Sequence, residues 1–442
     1  MTEPPPRLER RSTPPDAAPP GADRPGVREL VARLAIDLTP LRTSQSFRRI
    51  WLAQTASFVG TEIAYVALVY QVYALTKSSL AVGLLSLVEL VPLLTLTLLG
   101  GAFADALDRR RLILWQQIGM SLGSAALLAN AALPHPKVWA CYAGGFVAAS
   151  SFSFGVGAQR SLTPRLVSAE QVSAATNLNS LISNLGAVAG PALAGILIKT
   201  VGLTAVYAID VATFAGPIAA VWLLPPIAAS VDAAGPTIRS IVDGFRYVRR
   251  QPVVLGFFLV DTNAMIFGMP SALFPALADH RFGDPTLVGY LYAATYGGAL
   301  VASLLGGWVR HVRRQGLAVV VAAASWGVAI TAFGFARALW LALLLLALAG
   351  AADLISAVFR STILLTLVPD ELRGRLSGIE FAQVASTPSL GNLEAGVVAS
   401  LTSLRFSIVS GGLLCVVGTL VTALAFPALI RYDSRARAPA PA

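Results

Sequence analysis

Seven carboxylic acids interrupt otherwise apolar segments of this sequence. An acid at the centre of a membrane-spanning helix costs about 2.5–3.5 kcal/mol when it faces lipid, so we expect these acids to face the protein interior or a wet cavity. A carboxyl group held there can bind a proton from one side of a membrane and release it to the other. The seven acids are Glu62, Glu89, Asp210, Asp261, Asp353, Glu380 and Glu394.

Not all of these acids are equally suited to carry protons. Glu62 ranks first because it lies near the middle of the first apolar segment, and Glu89 and Asp261 follow it. A hydrogen-bonded contact between helices is the favoured role of three others, namely Asp210, Asp353 and Glu394.

Polar residues also recur at helical spacing in three apolar segments. Gln54, Ser57 and Thr61 stand at positions i, i+3 and i+7, which share one helix face. Equivalent stripes occur around residues 177–184 and 380–394. We expect such stripes to line a water-filled pathway. The predicted lining residues are Gln54, Ser57, Thr61, Asn177, Asn184, Glu380, Gln383 and Thr387.

The composition argues against a soluble enzyme. Of the 442 residues, 55% are hydrophobic and 13% are charged, whereas roughly a quarter is charged in a typical soluble domain. The three histidines fall in loops, and the sequence has neither a paired-histidine zinc motif nor a Gly-x-Ser-x-Gly elbow. We therefore expect no enzyme activity, no metal and no cofactor.

A nucleotide-driven pump is also not expected. The lysine of a phosphate-binding loop follows a glycine, whereas Lys77 follows Thr76 and Lys199 lacks the preceding glycine too. A transmembrane proton or ion gradient is left as the source of energy for uphill movement of a solute.

Twelve segments are long and apolar enough to cross a bilayer as helices. They fall into two sets of six, which predicts an all-α membrane protein of two six-helix bundles related by a pseudo-two-fold axis. The predicted limits are 50–73, 79–104, 112–133, 138–159, 174–198, 203–224, 253–277, 287–309, 316–336, 339–359, 376–401 and 406–430.

The distribution of basic residues predicts the orientation. With both termini inside, 27 of the 33 Lys and Arg residues fall in cytoplasmic segments, as the positive-inside rule requires. The net charge of +10 is thus a topology signal, and no nucleic acid partner is expected. We expect a multi-pass protein of the cell inner (cytoplasmic) membrane with both termini in the cytoplasm.

Five regions follow from these limits. A disordered N-terminal tail is predicted over residues 1–27, and the first bundle with an interfacial lead-in occupies 28–224. The linker 225–252 contains an amphipathic interfacial helix at Ile238–Arg250. The second bundle spans 253–430, and a short cytoplasmic tail covers 431–442.

The two halves repeat one another at an offset near 200 residues. Arg160-Ser161 in the first half corresponds to Arg360-Ser361 in the second, and we expect both arginines at cytoplasmic helix ends rather than in a cavity. Transporters built from such repeats place the substrate between the halves and rock one half against the other.

Two local motifs carry a resemblance to a known family. Gly101, Asp105, Arg109 and Arg110 match the signature loop of the major facilitator superfamily, although Ala106 and Asp108 depart from its usual residues. The resemblance implies that this loop latches the two halves in the outward-open state. A glycine and proline motif of the family's exporters is matched by Gly186, Gly190, Pro191 and Gly195, which implies a helix bend and close packing.

Residues 350–375 are similar to the branch that includes the enterobactin exporter and the macrolide efflux proteins. This resemblance implies a proton-coupled exporter of a siderophore-like or drug-like small molecule, acting as a monomer. A secondary importer of a small nutrient is the alternative. A receptor or scaffold that transports nothing is a further possibility, but it would not require duplicated halves with a polar interior.

Overall fold

The computed structural model describes residues 37–225 and 238–433. Outside the described residues lie the predicted tail 1–27, the first part of the lead-in up to residue 36, most of the linker before residue 238, and the predicted tail 431–442 from residue 434 onward. Within helices, the side chains of a few positions are also outside the description, among them Gly101, Asp105, Arg160 and Arg310.

Twelve crossing helices, numbered α1–α12, account for most of the described residues. The first six are α1 Gln45–Thr76, α2 Ser79–Ala106, α3 Arg109–Ala131, α4 Val138–Arg160, α5 172–201 and α6 203–222. The other six are α7 Pro252–His280, α8 Val288–Leu304, α9 Gln315–Phe333, α10 Leu339–Leu367, α11 Asp370–Leu401 and α12 Leu404–Ala425.

Nine continuous segments among the described residues are long and apolar enough to span a membrane by composition alone. One of them, Ala169–Trp222, contains both α5 and α6. Helices α4 and α11 complete the twelve; they are less apolar because one is rich in Gly and Ser and the other begins with charged residues. The predicted all-α fold of two six-helix bundles is confirmed.

An even number of crossings brings both ends of the described chain to one side. We call this side the terminal face and the other side the opposite face. Connections on the opposite face are short: two residues join α1 to α2, and Gly202 alone separates α5 from α6. Gly202 has φ +80°, a conformation that only glycine adopts without strain, which explains a bend between two otherwise continuous helices.

Side-chain caps begin several of the helices. Ser44, Ser78 and Ser403 each accept a hydrogen bond from a backbone N–H in the first turn of α1, α2 and α12. Asp108 does the same for α3, accepting from the Arg110 N–H at 2.9 Å. The departure of Asp108 from the family's usual loop residue therefore has a local structural reason.

Helix α7 is interrupted, which the predicted continuous span 253–277 did not anticipate. Its regular part ends at Phe267, and the chain resumes as a helix at Phe274 after a turn that contains Pro270. Backbone groups freed in a membrane need partners. Side chains of three neighbouring helices provide them: Trp326 donates to Gly268 O at 3.0 Å, Asn392 accepts from the Ala272 N–H at 3.0 Å, and Tyr292 donates to Ser271 O at 3.1 Å.

The hydrophobic core differs between the two halves of the membrane. Toward the opposite face, one cluster of buried side chains includes residues of both bundles, such as Tyr73 and Phe274. Toward the terminal face, the clusters around Phe257, Leu112 and Leu178 each belong to one bundle. The bundles are thus packed together near the opposite face and have separate cores near the terminal face.

Candidate functional site

A single face of α5 shows where the bundles touch and where they part. A Cβ added at Gly195 would lie 2.5 Å from Thr286 O of the second bundle, and Pro191 O lies against Gly289 of α8. Asn177, Asn184 and Pro191 follow at intervals of seven residues, so they share this face. Both asparagines are exposed. This side of α5 therefore contacts α8 in the second half of the helix. In the first half, nearer the terminal face of the protein, it borders an open gap.

Helix α1 contributes the neighbouring wall of this gap. Gln54 and Thr61 share a face with Tyr65, whose ring meets that of Tyr292 across the bundles with 6.2 Å between centroids. Ser57 is buried against its own bundle. Glu62 lies beside α5, where a Cβ on Gly190 would collide with its Cβ. Gly190 thus makes room for the Glu62 side chain between two helices.

The second bundle places a tyrosine across from Glu62. Tyr296 stands seven residues after Gly289, hence on the face of α8 that looks toward the first bundle, and it is 43% exposed. It lies within electrostatic interaction range of both Glu62 and Asp353. Sequence reasoning missed Tyr296, although its spacing of four residues from Tyr292 was a signal that could have found it.

We define the central gap by the residues that surround it on four helices. Its members are Gln54, Thr61, Glu62 and Tyr65 of α1, Asn177 and Asn184 of α5, Tyr296 of α8 and Asp353 of α10.

Glu89 of α2 lies close to this group but deeper in the first bundle. A Cβ on Gly145 would stand 3.1 Å from its Oε1, and its charge acts on Tyr65 and Tyr292. Neither Glu62 nor Glu89 has an ion-pair or hydrogen-bond partner among the side chains that the structure describes. Two acids without cations are thus held in the same region.

Arg360 corrects one expectation from the sequence. It does not sit at a helix end, because α10 continues for seven residues to Leu367, and it is only 7% exposed. Its guanidinium forms an ion pair with Asp261 of α7 and lies 4.0 Å from Asp353. The predicted proton carrier Asp261 is therefore engaged by a buried cation.

The charges around Arg360 do not balance. Glu380 of α11 interacts electrostatically with Arg360 and accepts a 3.5 Å hydrogen bond from Ser361. One guanidinium thus serves three carboxylates, of which Asp353 has a side chain 40% exposed at the central gap. This group of side chains therefore contains more acid than base.

The polar stripe of α11 does not line the central gap along its whole length. Gln383 donates to Phe258 O at 2.8 Å and to Thr262 Oγ1 at 2.7 Å, both on α7. Thr387 is buried and donates to Gln383 O. Gln383 thus joins α11 to α7 of the same bundle, whereas Thr387 bonds within its own helix. The face of α11 toward the first bundle is the one carrying Asn392 and Gly396.

Asp210 has the interhelical role that the sequence favours. It is buried in the first bundle and accepts a 2.5 Å hydrogen bond from Ser124 of α3. Glu394, by contrast, is half-buried on α11. Neither acid is among the residues around the central gap.

The two predicted motifs are placed only in part. Arg109 is buried, and Arg110 Nη2 donates to Trp222 O at 2.5 Å, which ties the start of α3 to the end of α6. The side chain of Asp105 and the position of Gly101 lie outside the description. In the glycine motif, Gly186 packs against Phe58 of α1, while Gly195 packs against the second bundle.

Two ion pairs close the opposite face between the bundles. Lys77 Nζ lies 2.9 Å from Asp279 Oδ2, and Lys199 Nζ lies 2.7 Å from Asp284 Oδ2. Beneath them Asn392 donates to Ser86 Oγ at 3.2 Å. We call the pairs Lys77–Asp279 and Lys199–Asp284 the latch.

Replacing the latch lysines should open the opposite face more often. Exposed ion pairs contribute about 0.2–1 kcal/mol each, so Lys77→Gln and Lys199→Gln should each raise the open fraction about 1.4- to 5-fold. The measurement is maleimide labelling of Ser86→Cys, since the native Cys141 and Cys415 are both buried.

Lys137 provides a matched control for the latch variants, because it lies on the opposite face outside both ion pairs. Lys137→Gln should leave Ser86→Cys labelling at the level of the parent protein. Exchanging the charges of Lys77 and Asp279 should return labelling to that same level. Equal labelling of all lysine variants would show that the latch does not hold the bundles closed.

Closure by the latch should not change across the physiological pH range. Hydrogen bonds from Lys199 and then Thr286 lower the pKa of Asp284, in the loop after α7, to about 2. A carboxylate with a lowered pKa stabilises the closed state above its ordinary pKa, and this contribution is lost only as pH falls toward the lowered value. Ser86→Cys labelling, normalised to a free thiol peptide at each pH, should therefore stay constant between about pH 5 and 8. A fall in the normalised labelling near pH 6 would mean that a different titrating group holds the opposite face closed.

Comparisons with known proteins agree with this geometry. The family model described as transmembrane secretion effector matches residues 35–442. The enterobactin exporter EntS of Citrobacter koseri is 30% identical over 390 residues, which cover 88% of this chain and 94% of that protein. EntS of Escherichia coli O1:K1 is 29% identical over 387 residues, or 87% of this chain and 93% of that one.

The fold is shared with solved transporters as well. An inward-facing, unoccupied bacterial homologue of the human lysosomal transporter Spinster superposes with a TM-score of 0.69 at 14% identity, covering 89% of this chain and 98% of that chain. Two helical bundles around a polar gap define a multi-pass membrane transporter of the major facilitator superfamily, which is not an enzyme. More narrowly, this chain belongs to the transmembrane secretion effector family. The family resemblance predicted from the sequence is confirmed.

Proposed function

We propose that this protein exports a siderophore-like or drug-like small molecule from the cytoplasm in exchange for protons. The observation that carries the proposal is the central gap, where Glu62, which has no cation beside it, faces Asp353, which shares the Arg360 guanidinium with Asp261. Similarity over most of the chain to proteins named enterobactin exporters supports export and a siderophore-like substrate.

The orientation belongs to the same proposal. The abundance of Arg near the terminal face supports placing that face in the cytoplasm and the opposite face outside. The central gap then admits substrate from the cytoplasm while the latch is closed. Because one chain supplies both walls of the gap, a monomer is sufficient for this cycle.

The walls of the central gap suit a partly aromatic solute. Tyr65 and Tyr296 supply ring faces and hydroxyl groups, while Asn177 and Asn184 supply amide groups that can donate or accept. An aromatic molecule with several hydroxyl groups would find both kinds of contact. A small, fully polar nutrient would leave the tyrosine rings without an apolar partner.

Proton transfer would involve acids on both sides of the gap. Glu62 stands on one wall and Asp353 on the other, with Tyr296 between them. Asp353 in turn approaches Arg360, which holds Asp261. A proton bound on Glu62 would remove a negative charge from the gap, and release of that proton would restore it. This change of charge can bias the rocking of the two bundles.

Transport in inside-out membrane vesicles tests the proposal. A proton gradient should drive accumulation of a catecholate siderophore or a macrolide, and dissipating the gradient should abolish it. Gradient-driven extrusion of preloaded solute would instead assign an importer. Binding of a solute without any movement across the membrane would refute a transport role.

A further inference from the structure

Three arginines of the second bundle converge on one pocket at the opposite face. The pocket has a volume of about 220 Å³ and is lined by Arg281, Gly334, Phe335, Arg337 and Arg405. Arg281 lies in the connection after α7, Arg337 in the connection after α9, and Arg405 in the first turn of α12. At about 30 Å³ per water molecule, the volume holds on the order of seven waters, which is room for a small polar group.

The contacts of these arginines use only some of their N–H donors. Arg281 Nη1 donates to Phe333 O and Ala336 O at 3.4 and 3.2 Å, which caps the end of α9. The Arg405 guanidinium stacks 4.5 Å from the centroid of the Phe335 ring. An arginine has five N–H donors, and these contacts use few of them.

Carboxylates do not neutralise the pocket. The acids near this face are Asp279, at the end of α7, and Asp284, in the loop after it, and they are bound to Lys77 and Lys199 respectively. Among the described residues, no carboxylate lies within ion-pair distance of the three pocket arginines. Burial, and after it repulsion from Arg405, lowers the pKa of Arg281.

The concentration of charge is unusual for this face. The sequence places only six basic residues on it, and three of them meet in this one pocket. Like charges brought together cost free energy unless an anion lies among them. A purely structural role accounts for the capping by Arg281, but it does not account for Arg337, which makes no hydrogen bond or ion pair with the described residues.

We propose that the pocket of Arg281, Arg337 and Arg405 binds an oxyanion of the phosphate type at the opposite face of the second bundle. Guanidinium groups recognise such groups through paired, charge-assisted hydrogen bonds. The phosphate is either free in solution or part of the headgroup of an anionic lipid in the adjacent leaflet. The site is separate from the central gap and independent of the proposed export.

Thermal unfolding of the purified protein in detergent tests the site with inorganic phosphate as the probe. Phosphate should raise the unfolding temperature in a saturable way when chloride keeps the ionic strength constant. Each hydrogen bond to a charged group contributes about 1.5–3 kcal/mol, so Arg337→Gln and Arg405→Gln should each weaken phosphate binding about tenfold or more. Arg281 is left intact in these variants because its capping bonds support α9.

Lys137→Gln is the matched control, since it removes a positive charge from the same face outside the pocket. It should keep the full response to phosphate. Native mass spectrometry then separates the two sources. If the parent protein retains one phosphatidylglycerol but no phosphatidylcholine, and Arg337→Gln/Arg405→Gln retains neither lipid, the bound oxyanion is a lipid headgroup. A phosphate response without retained lipid assigns a soluble oxyanion. Equal responses of the parent and the double variant to phosphate and to phosphatidylglycerol would overturn the proposal.

Discussion

Glu62→Gln should reduce gradient-driven transport to the rate of protein-free vesicles while leaving exchange of substrate for substrate intact. The amide has nearly the shape of the carboxyl group but cannot carry a proton between the two sides. Glu62 lies 17 residues from the start of α1 and 14 from its end, or about 25 and 21 Å along the helix, so it can serve both faces in turn. Counterflow and gradient-driven uptake in the same proteoliposomes measure the two activities.

Glu394→Gln provides the control for this experiment. Glu394 is also a half-buried acid inside a membrane helix, but it is not one of the residues that define the central gap. The variant should keep driven transport. If Glu62→Gln also keeps it, Glu62 is not the proton carrier, and Asp353 and Glu89 become the next residues to replace. If Glu62→Gln loses exchange as well, the side chain binds substrate rather than only protons.

Arg360→Gln should have the largest effect on stability. It leaves Asp261 buried without its cation, and breaking a buried ion pair by removing one partner costs about 3–5 kcal/mol. Asp261→Asn should also be destabilising but should cost less, because Asp353 and Glu380 still lie near the guanidinium. Unfolding in mixed detergent micelles, followed by circular dichroism, measures both variants.

The double variant Asp261→Asn/Arg360→Gln distinguishes pairing from general disturbance. It should lose markedly less stability than the sum of the single changes, since neither charge is left alone. Arg111→Gln, an exposed substitution on α3, should have little effect. Additive losses would mean that the two residues are stabilised by separate contacts, and the polar group around Arg360 would no longer be a unit.

Hydropathy and charge were sufficient to predict the helix count and the two bundles. Length and apolar composition act on whole segments, so errors at single positions cancel. Side-chain orientation was harder, as α11 illustrates: its polar stripe was recognised, but the face that it occupies depends on packing against α7. A stripe of this kind can bond to a helix of its own bundle as well as line a cavity.

The sequence also did not predict how deeply a side chain lies in the bundle or which residues of other helices surround it. Arg360 was expected at a helix end, which is where its counterpart Arg160 lies in α4. Helix α10 instead continues to Leu367, so Arg360 lies inside the bundle. Tyr296 was overlooked because a single tyrosine in an apolar helix is ordinary, and its spacing of four residues from Tyr292 was the one available signal. Its importance arises from residues of α1 and α10, which are distant in sequence.

The short connections at the opposite face limit how the protein can open there. With two residues between α1 and α2 and a single glycine between α5 and α6, neither pair of helices can spread apart at that end. Each pair must swing as one stiff arm. A solute that crosses on that side would pass between these arms of the first bundle and the second bundle, so its greatest width is governed by the angle through which the arms turn and not by stretching of any loop.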